Sequence, residues 1–377
     1  MSVPTPAHGA APPDDVAPAE AYERVRAGVT LLDVRDAAEI AAGLPAHATH
    51  LPLCELERRI AAIVPDRARP VLLICASGRR SSQGAARLRA LGYDQAASVA
   101  GGFQRWRTDG LPVARAPGVP DDLDVERYAR QLTLPEVGLD GQRKLRDARV
   151  ALIVAGGLGS PAALYLAAAG VGHLTLVDDD RVERSNLHRQ VLHGDADTGR
   201  LKTDSGAARL EALNPSVQVT RVAERLTADS ARAVLEHAHV VLDGADNFAT
   251  RYAVSDACVE LGIPDVHGSV FRFEGQVTVL WPSAPGGGPC YRCLYPEPPP
   301  PELAPSCGEA GVLGVVPGVI GMLQATETLK LLLGVGAPLV GRMLQYDALR
   351  GGFDEFDVPR DPGCPVCARV TRVMSNG

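Results

Sequence analysis

The sequence predicts an α/β protein of two or three domains, with a small α/β unit ahead of a larger one, and three observations carry that prediction. Short apolar, β-branched runs recur at Leu31–Val34, Val71–Ile74, Val150–Val154, Leu174–Val177 and Val240–Asp243, the pattern of parallel strands buried on both faces. A glycine-rich turn joins one of these strands directly to a helix. The stretch Ala114–Asp122, rich in Pro, Gly and Asp and without an apolar period, separates the two units. At 377 residues the chain exceeds one ordinary domain, and a composition 46% apolar supplies material for more than one core.

Residues 1–16 combine Pro, Ala and Asp and have no basic start followed by an apolar core, so a disordered tail is expected and a signal peptide is not. Residues 17–114 form the small unit, with a helix near Pro18–Ala27, strands Leu31–Val34 and Val71–Ile74, and a helix Ser82–Leu91 stopped by Gly92. Between the last strand and helix runs Cys75-Ala76-Ser77-Gly78-Arg79-Arg80-Ser81. A cysteine at a strand end, ahead of a tight glycine loop and a helix start, sits among converging N–H groups and arginines that stabilise a thiolate or a persulfide. The competing reading is an inert buried cysteine before an ordinary turn.

Residues 115–125 are the linker and 126–377 the larger domain. Its first pair of strands encloses the glycine turn: Gly156, Gly157 and Gly159 open it, Ser160 is placed to cap a helix, and Pro161 suits a first helical position, where its missing N–H costs nothing. N–H groups at such a helix start face a phosphate, and an acid about 20 residues on, here Asp178, holds a ribose hydroxyl. Downstream, Ser185-Asn186-Leu187-His188-Arg189-Gln190 and Lys202 bring cations to the strand end where phosphates would lie. The strand Val240–Asp243 leads into Asp246-Asn247, and Asp246 is a candidate magnesium ligand. Without those partners the turn would read as a parallel sheet with no ligand. Gly311–Gly336 is the longest apolar run, but Pro317, Gln324, Glu327 and Lys330 break it into a helix with one polar face, for a core or a subunit interface and not for a membrane.

Eight cysteines without an export signal point to metal or catalysis before disulfides. Cys290-x-x-Cys293 and Cys364-x-x-Cys367 each offer two thiolates a turn apart, the corners of a tetrahedral zinc site with no open position; disulfides are the alternative. Cys54 and Cys258 have apolar neighbours and read as buried packing residues. The segment Tyr295–Pro305, with six prolines, reads as a stiff exposed loop leading to Cys307.

Two resemblances follow from these motifs. From about Tyr128 to Cys367, the GGLGS turn, SNLHRQ, Lys202, DNFATR, CYRCLYPEPPP, CGEAGVLG and LQATE resemble the adenylate-forming, ubiquitin-activating-enzyme-like family. The match is closest to the bacterial MoeB/ThiF-type members that activate sulfur carriers for molybdopterin or thiamine synthesis. The small unit, through DVRDAAE, CASGRRS and VAGGFQRW, resembles a rhodanese sulfurtransferase domain, and its short loop is of the kind that favours sulfur over phosphate. The fold class implied is a rhodanese-like α/β domain followed by a Rossmann-like α/β adenylation domain with a zinc knuckle. One residue departs from the family's pattern: Val154 stands where its fingerprint begins with glycine, and it either strains the turn or extends the strand.

The resemblance implies ATP, Mg²⁺ and Zn²⁺ as cofactors and a ubiquitin-like sulfur carrier protein of the MoaD or ThiS type as partner, whose C-terminal carboxylate is adenylated. It gives Gly157 to the phosphates, Asp178 to the ribose, and Asn186, Arg189, Lys202 and Arg130 to the phosphate charge, with Arg130 reaching a neighbouring subunit's nucleotide in a homodimer. Asp246 serves the metal, and Ser185 and Asn247 are counted with the residues that bind the nucleotide. Cys75 carries sulfur from a persulfide or thiosulfate donor, and Cys307 is the candidate for a covalent link to the activated carrier. A net charge of −7 argues against nucleic acid or an anionic membrane as partner, and a cytoplasmic location is expected. The rival readings are a carrier-binding protein or sulfurtransferase with a weakened nucleotide site, and an NAD-dependent oxidoreductase, which has no use for Arg189, Lys202 and Asp246.

Overall fold

The computed structural model describes residues 15–41, 43–116, 123–298 and 311–369 and divides into two compact units, Met1–Asp140 and Gly141–Gly377. The first runs β1 (Asp15–Val16), α1 (Pro18–Arg26), β2 (Thr30–Asp33), α2 (Ala37–Ile40), β3 (Leu44–Pro45), β4 (Thr49–His50), α3 (Leu56–Ile63), β5 (Val71–Ile74), α4 (Arg79–Ala90), β6 (Ala96–Val99), α5 (Gly102–Thr108), β7 (Val113–Ala114) and α6 (Ala129–Leu132). Its main sheet is parallel throughout, in the order β1-β6-β5-β2-β4. Successive side chains point to opposite faces of a strand. Accordingly Leu32, Leu73 and Cys75 enter one core while Leu31, Leu72 and Ile74 enter another, which is why these strands are apolar without alternation.

Three boundaries differ from the sequence expectation. Asp15 and Val16, placed in the tail, pair with Ser98 and Val99 at the sheet edge. Helix α4 starts at Arg79, three residues before Ser82, because Gly78 turns the chain with φ +97°. The ends of the linker are not free: Ala116 and Leu123 are buried with Ile40, Leu44, Tyr128 and Leu132, so the division between the units falls within α7 (Gly138–Asp147).

The second unit continues with β8 (Arg149–Ile153), α8 (Gly159–Ala169), β9 (His173–Val177), α9 (Lys202–Leu213), β10 (Gln218–Val222), α10 (Ala228–Leu235), β11 (Val240–Asp243), α11 (Phe248–Leu261), β12 (Asp265–Phe271), β13 (Glu274–Leu280), α12 (Tyr291–Leu294), α13 (Val315–Leu333), β14 (Arg342–Asp347) and β15 (Gly352–Asp357). The sheet order is β10-β9-β8-β11-β12-β13-β14-β15, parallel as far as β12 and antiparallel beyond. The order reverses between β8 and β11, so the helices that follow these two strands leave on opposite faces and open a crevice at their carboxyl ends. Helix α13 packs on α8, β12 and β13. Its polar face points inward: Gln324 Nε2 donates to the carbonyls of Asp243 and Val266, and Glu327 accepts from Leu339 N and pairs with Lys330, while Val315 and Met322 are exposed. Among the described residues no helix is long and apolar enough to cross a membrane.

Candidate active sites and metal centre

Strand β8 ends at Ile153, and Val154 takes φ +74°, a left-handed conformation that a β-branched residue resists. Of the two outcomes open to this residue, the strained turn is the one observed. The surroundings impose it. Val154 N–H donates to Val177 O at 2.8 Å, and a Cβ on Gly159 would come within 2.1 Å of Val154 O, so α8 can start this close to the strand only at a glycine. Asp178, at the end of β9, braces the turn: Oδ2 accepts from Ala155 N at 2.8 Å and Oδ1 from Asp180 N at 2.9 Å. Burial pushes its carboxyl up, against the pull of Lys202.

Around this turn lies a cavity of about 980 Å³, at the switch point between β8 and β11. Gly157, Asp178, Arg189, Lys202, Asp246 and Asn247 all line it, and it extends over Phe271, Glu274 and Gln345. Ser185, Asn186 and Arg130 do not line it. Ser185 Oγ donates to Glu183 at 3.2 Å, and Asn186 Oδ1 accepts from Arg189 Nη2 at 2.9 Å, so Asn186 holds the arginine that reaches the wall. Arg130 is exposed on α6 in the first unit. Lys202 is 3% exposed, with Nζ 2.8 Å from Asp180 Oδ2 and 3.7 Å from Asp178 Oδ2; its charge is already matched within the protein.

The expected ribose contact, Asp178, has both oxygens engaged by backbone N–H groups, whereas the Asp180 side chain, 59% exposed, stands open on the same wall. Asp180 and Arg251 are wall residues that the motif reading passed over; the position of Arg251 one turn beyond the α11 cap is the signal that was there. Asn247 is that cap, its Oδ1 accepting from Thr250 N at 2.9 Å. Asp246, exposed on the wall next to it, is a hard oxygen donor of the sort a magnesium ion takes, with room for waters and phosphate oxygens beside it. Cys307 and most of the proline loop lie outside the described residues.

In the first unit Cys75 sits at the end of β5, 1% exposed, against the start of α4. Gly78 N–H reaches its sulfur at 3.2 Å and the Ser81 hydroxyl at 3.4 Å; Ser81 is in turn 2.9 Å from Ser98 Oγ. Burial raises the thiol, but the hydrogen bonds from Ser81, Ser77 and Gly78 outweigh it, and the net effect is a lowered pKa. The arginines contribute differently from the expectation. Arg80 turns to Glu39, at 2.7 Å, and to Asp36, at 3.3 Å, while Arg79 is exposed. The direct partners of the sulfur are therefore a backbone N–H and a serine hydroxyl.

The four cysteines of the two CxxC motifs converge, with Sγ···Sγ distances of 3.8 Å for Cys290–Cys293, 3.5 Å for Cys290–Cys364 and 3.5 Å for Cys293–Cys367. A tetrahedral metal with bonds of about 2.3 Å places its sulfurs about 3.8 Å apart, whereas a disulfide needs about 2.05 Å. The spacing fits a metal and excludes disulfides in this arrangement. Cys293, hydrogen-bonded by Cys290, falls to about 5, while Cys290 is raised by the same contact: thiolates this close cannot all ionise without a cation among them. Cys258 is buried as expected, but Cys54 is exposed on the turn before α3, where the pattern of its neighbours suggested packing.

Comparison with known proteins finds two families on the chain, with the break between them in the linker and not within α7. Residues 17–109 match the rhodanese-like domain and residues 128–366 the ThiF family. A sulfur carrier protein adenylyltransferase from Thermus thermophilus is 52% identical over 246 residues, 65% of this chain and 91% of that one. A probable adenylyltransferase/sulfurtransferase, MoeZ, from Mycobacterium tuberculosis is 49% identical over 243 residues, 64% of this chain but 62% of its own length. Among solved structures, E. coli MccB with ATP superposes with a TM-score of 0.56 at 24% identity, covering 66% of this chain and 76% of that one, a likeness of fold.

Proposed function

Because this chain belongs to the ThiF family, we propose that it is an adenylyltransferase that uses ATP to activate the C-terminal carboxylate of a ubiquitin-like sulfur carrier protein and couples this to sulfur transfer from Cys75. The observation that carries the reading is the convergence of Gly157, Arg189, Lys202 and Asp246 on one switch-point cavity. A free carboxylate is a poor electrophile. Its attack on the α-phosphorus of ATP forms an acyl-adenylate as the bond to pyrophosphate breaks, and positioning and charge neutralisation supply the catalysis. The Gly156–Gly159 turn presents N–H groups to phosphate, Arg189 neutralises charge, Lys202 would do so by exchanging its Asp180 partner for a phosphate oxygen, and Asp246 would hold Mg²⁺, which when bound spreads the charge of the phosphates.

A persulfide on Cys75 then attacks the acyl carbon, either of the adenylate, with AMP leaving, or of a thioester that Cys307 has formed with the carrier by displacing AMP, with the Cys307 thiolate leaving. A second thiol attacks the Cys75 sulfur of the resulting acyl disulfide, forming a disulfide with Cys75 as the thiocarboxylate leaves. The donor to Cys75 is a persulfide or thiosulfate. Zn²⁺ held by Cys290, Cys293, Cys364 and Cys367 closes the C-terminal part of the second unit without taking part in the reaction. We further infer a cytoplasmic homodimer in which Arg130 approaches the partner's nucleotide. The test is ATP–pyrophosphate exchange with candidate carriers: exchange dependent on a carrier ending in Gly-Gly supports the reading, and its absence with every carrier tried leaves a sulfurtransferase or carrier-binding protein. The strained Val154 is the observation that favours that second reading.

A further inference from the structure

Beneath the Asp246 turn is a buried polar group that the reaction as written does not use. Ala245, 1% exposed, is held on both sides of its backbone: its N–H donates to Asp243 Oδ1 at 2.8 Å, and its carbonyl accepts from Arg251 Nε at 2.9 Å. The other oxygen of Asp243 lies 2.8 Å from His267 Nδ1, across the β11–β12 register that pairs Asp243 with His267. Both side chains are buried, at 0% and 1% exposure. Burial disfavours the imidazolium, against the pull of Asp243, so the ring is neutral and its single proton belongs on Nδ1, facing the carboxylate. Nε2 has no hydrogen-bond partner among the described residues, so the ring's one hydrogen bond goes to Asp243, while its edge packs against the Tyr291 ring with centroids 5.0 Å apart.

Two neighbours bear on what that hydrogen bond is for. Asp265, on the same face of β12 two residues before His267, has no hydrogen bond to either oxygen, and burial with the Asp243 charge raises its pKa far up. Asp243, in contrast, has a donor on each oxygen, Ala245 N–H on one and His267 Nδ1 on the other. Gln324 reaches the Asp243 carbonyl from the opposite face of the sheet, through space that a Cβ on Gly268 would fill, coming within 2.5 Å of Gln324 Cδ. Side chain and main chain of Asp243 are thus both tied down, one residue before the loop turns into the cavity.

We propose that His267 and Asp243 are a positioning pair for Asp246: His267 orients the Asp243 carboxylate, which with Arg251 sets the Ala245 peptide and with it the direction from which Asp246 meets the metal of the metal–nucleotide complex. This rests on the reading of the cavity as an MgATP site. Neither side chain of the pair lines the cavity, so the effect reaches the ligand through the backbone. A pair that only stabilised the sheet would be felt in thermal unfolding and not in the metal dependence of binding.

The test is calorimetric binding of ATP at graded Mg²⁺ to the full-length wild type, His267→Ala and His267→Asn, with thermal unfolding of each. In His267→Ala the buried Asp243 oxygen loses its donor, and the expected result is an Mg²⁺ requirement raised about tenfold or more, the scale of a lost hydrogen bond to a charged group. In His267→Asn an amide N–H replaces Nδ1–H, and the requirement returns to within about threefold of wild type. If the alanine variant does not fold, His267→Gln, whose amide lies one bond further out, takes its place against His267→Asn. A wild type that binds MgATP, with variants whose Mg²⁺ requirement is unchanged, overturns the positioning role alone. A wild type that binds no MgATP overturns the reading of the cavity and the inference with it.

Discussion

At Val154 a left-handed turn and a β-branched side chain occupy the same residue. Such a conformation costs about 1–3 kcal/mol. If binding carries all of that cost, ATP affinity falls roughly 5- to 150-fold relative to a glycine at this position. Val154→Gly is therefore expected to lower the apparent KM for ATP in pyrophosphate exchange by up to that range, with thiosulfate sulfurtransferase activity unchanged. A variant with a higher melting temperature and an unaltered KM would show that the fold and not the nucleotide bears the strain. Asp265 poses a second residue-scale question. Its folded pKa is raised, so its contribution to stability is complete below the unfolded value of about 3.9 and is lost as pH rises towards the folded value, because only the unfolded chain ionises. Asp265→Asn removes that dependence. Its stability relative to wild type should improve between about pH 5 and about pH 8, and denaturation curves showing a flat or reversed difference would rule the neutral acid out.

At the scale of elements, the knuckle joins α12 to the chain after β15 through four sulfurs, in a cluster that adds little beyond Val259 and Val366. With so small an apolar contribution, a metal held by the four sulfurs would be what closes this corner. Protein purified without chelators should contain about one zinc per chain, and Cys290→Ser or Cys367→Ser should release it and lower the melting temperature by several degrees or more. Metal analysis that finds no zinc in the wild type would remove the knuckle from the account. Helix α13 makes the complementary point. A polar stripe on an apolar helix ordinarily faces water. Here Gln324 and Glu327 are buried because β11, β12 and the Leu339 segment present backbone groups that polar side chains satisfy, and Thr328 is buried beside them with its hydroxyl on the Gln324 carbonyl.

For the molecule as a whole, the residues of the two chemistries fall in separate compact units, the Cys75 loop in the first and the switch-point cavity in the second. Linking a sulfur donor to an activating site raises the local concentration of one for the other. The separation also predicts that the activities come apart on mutation. Cys75→Ala should abolish sulfur transfer from thiosulfate or a persulfide donor while ATP–pyrophosphate exchange stays within about twofold of wild type, the usual scatter for independent sites. Normal transfer rates in that variant would mean that the first unit has been misread.

The sequence alone determined the local features of this protein. Strands buried on both faces announce themselves as unbroken apolar runs, glycines mark the close approach of α8 to β8, and two CxxC pairs carry their geometry in their spacing. It also singled out Gly157, Arg189, Lys202 and Asp246, which line one cavity. What only the tertiary structure decided is how those groups are partnered. Asp178 lost its open oxygens to the N–H groups of Ala155 and Asp180, and Lys202 its free charge to Asp180. Arg80 gives its hydrogen bonds to Glu39 and Asp36, while its charge still acts on Cys75. The pairing of His267 with Asp243, 24 residues apart, exists only because β11 and β12 lie side by side in register. A motif states which groups are available, but a hydrogen bond or ion pair depends on distances of a few ångströms between segments far apart in the chain, and only the packed fold sets those.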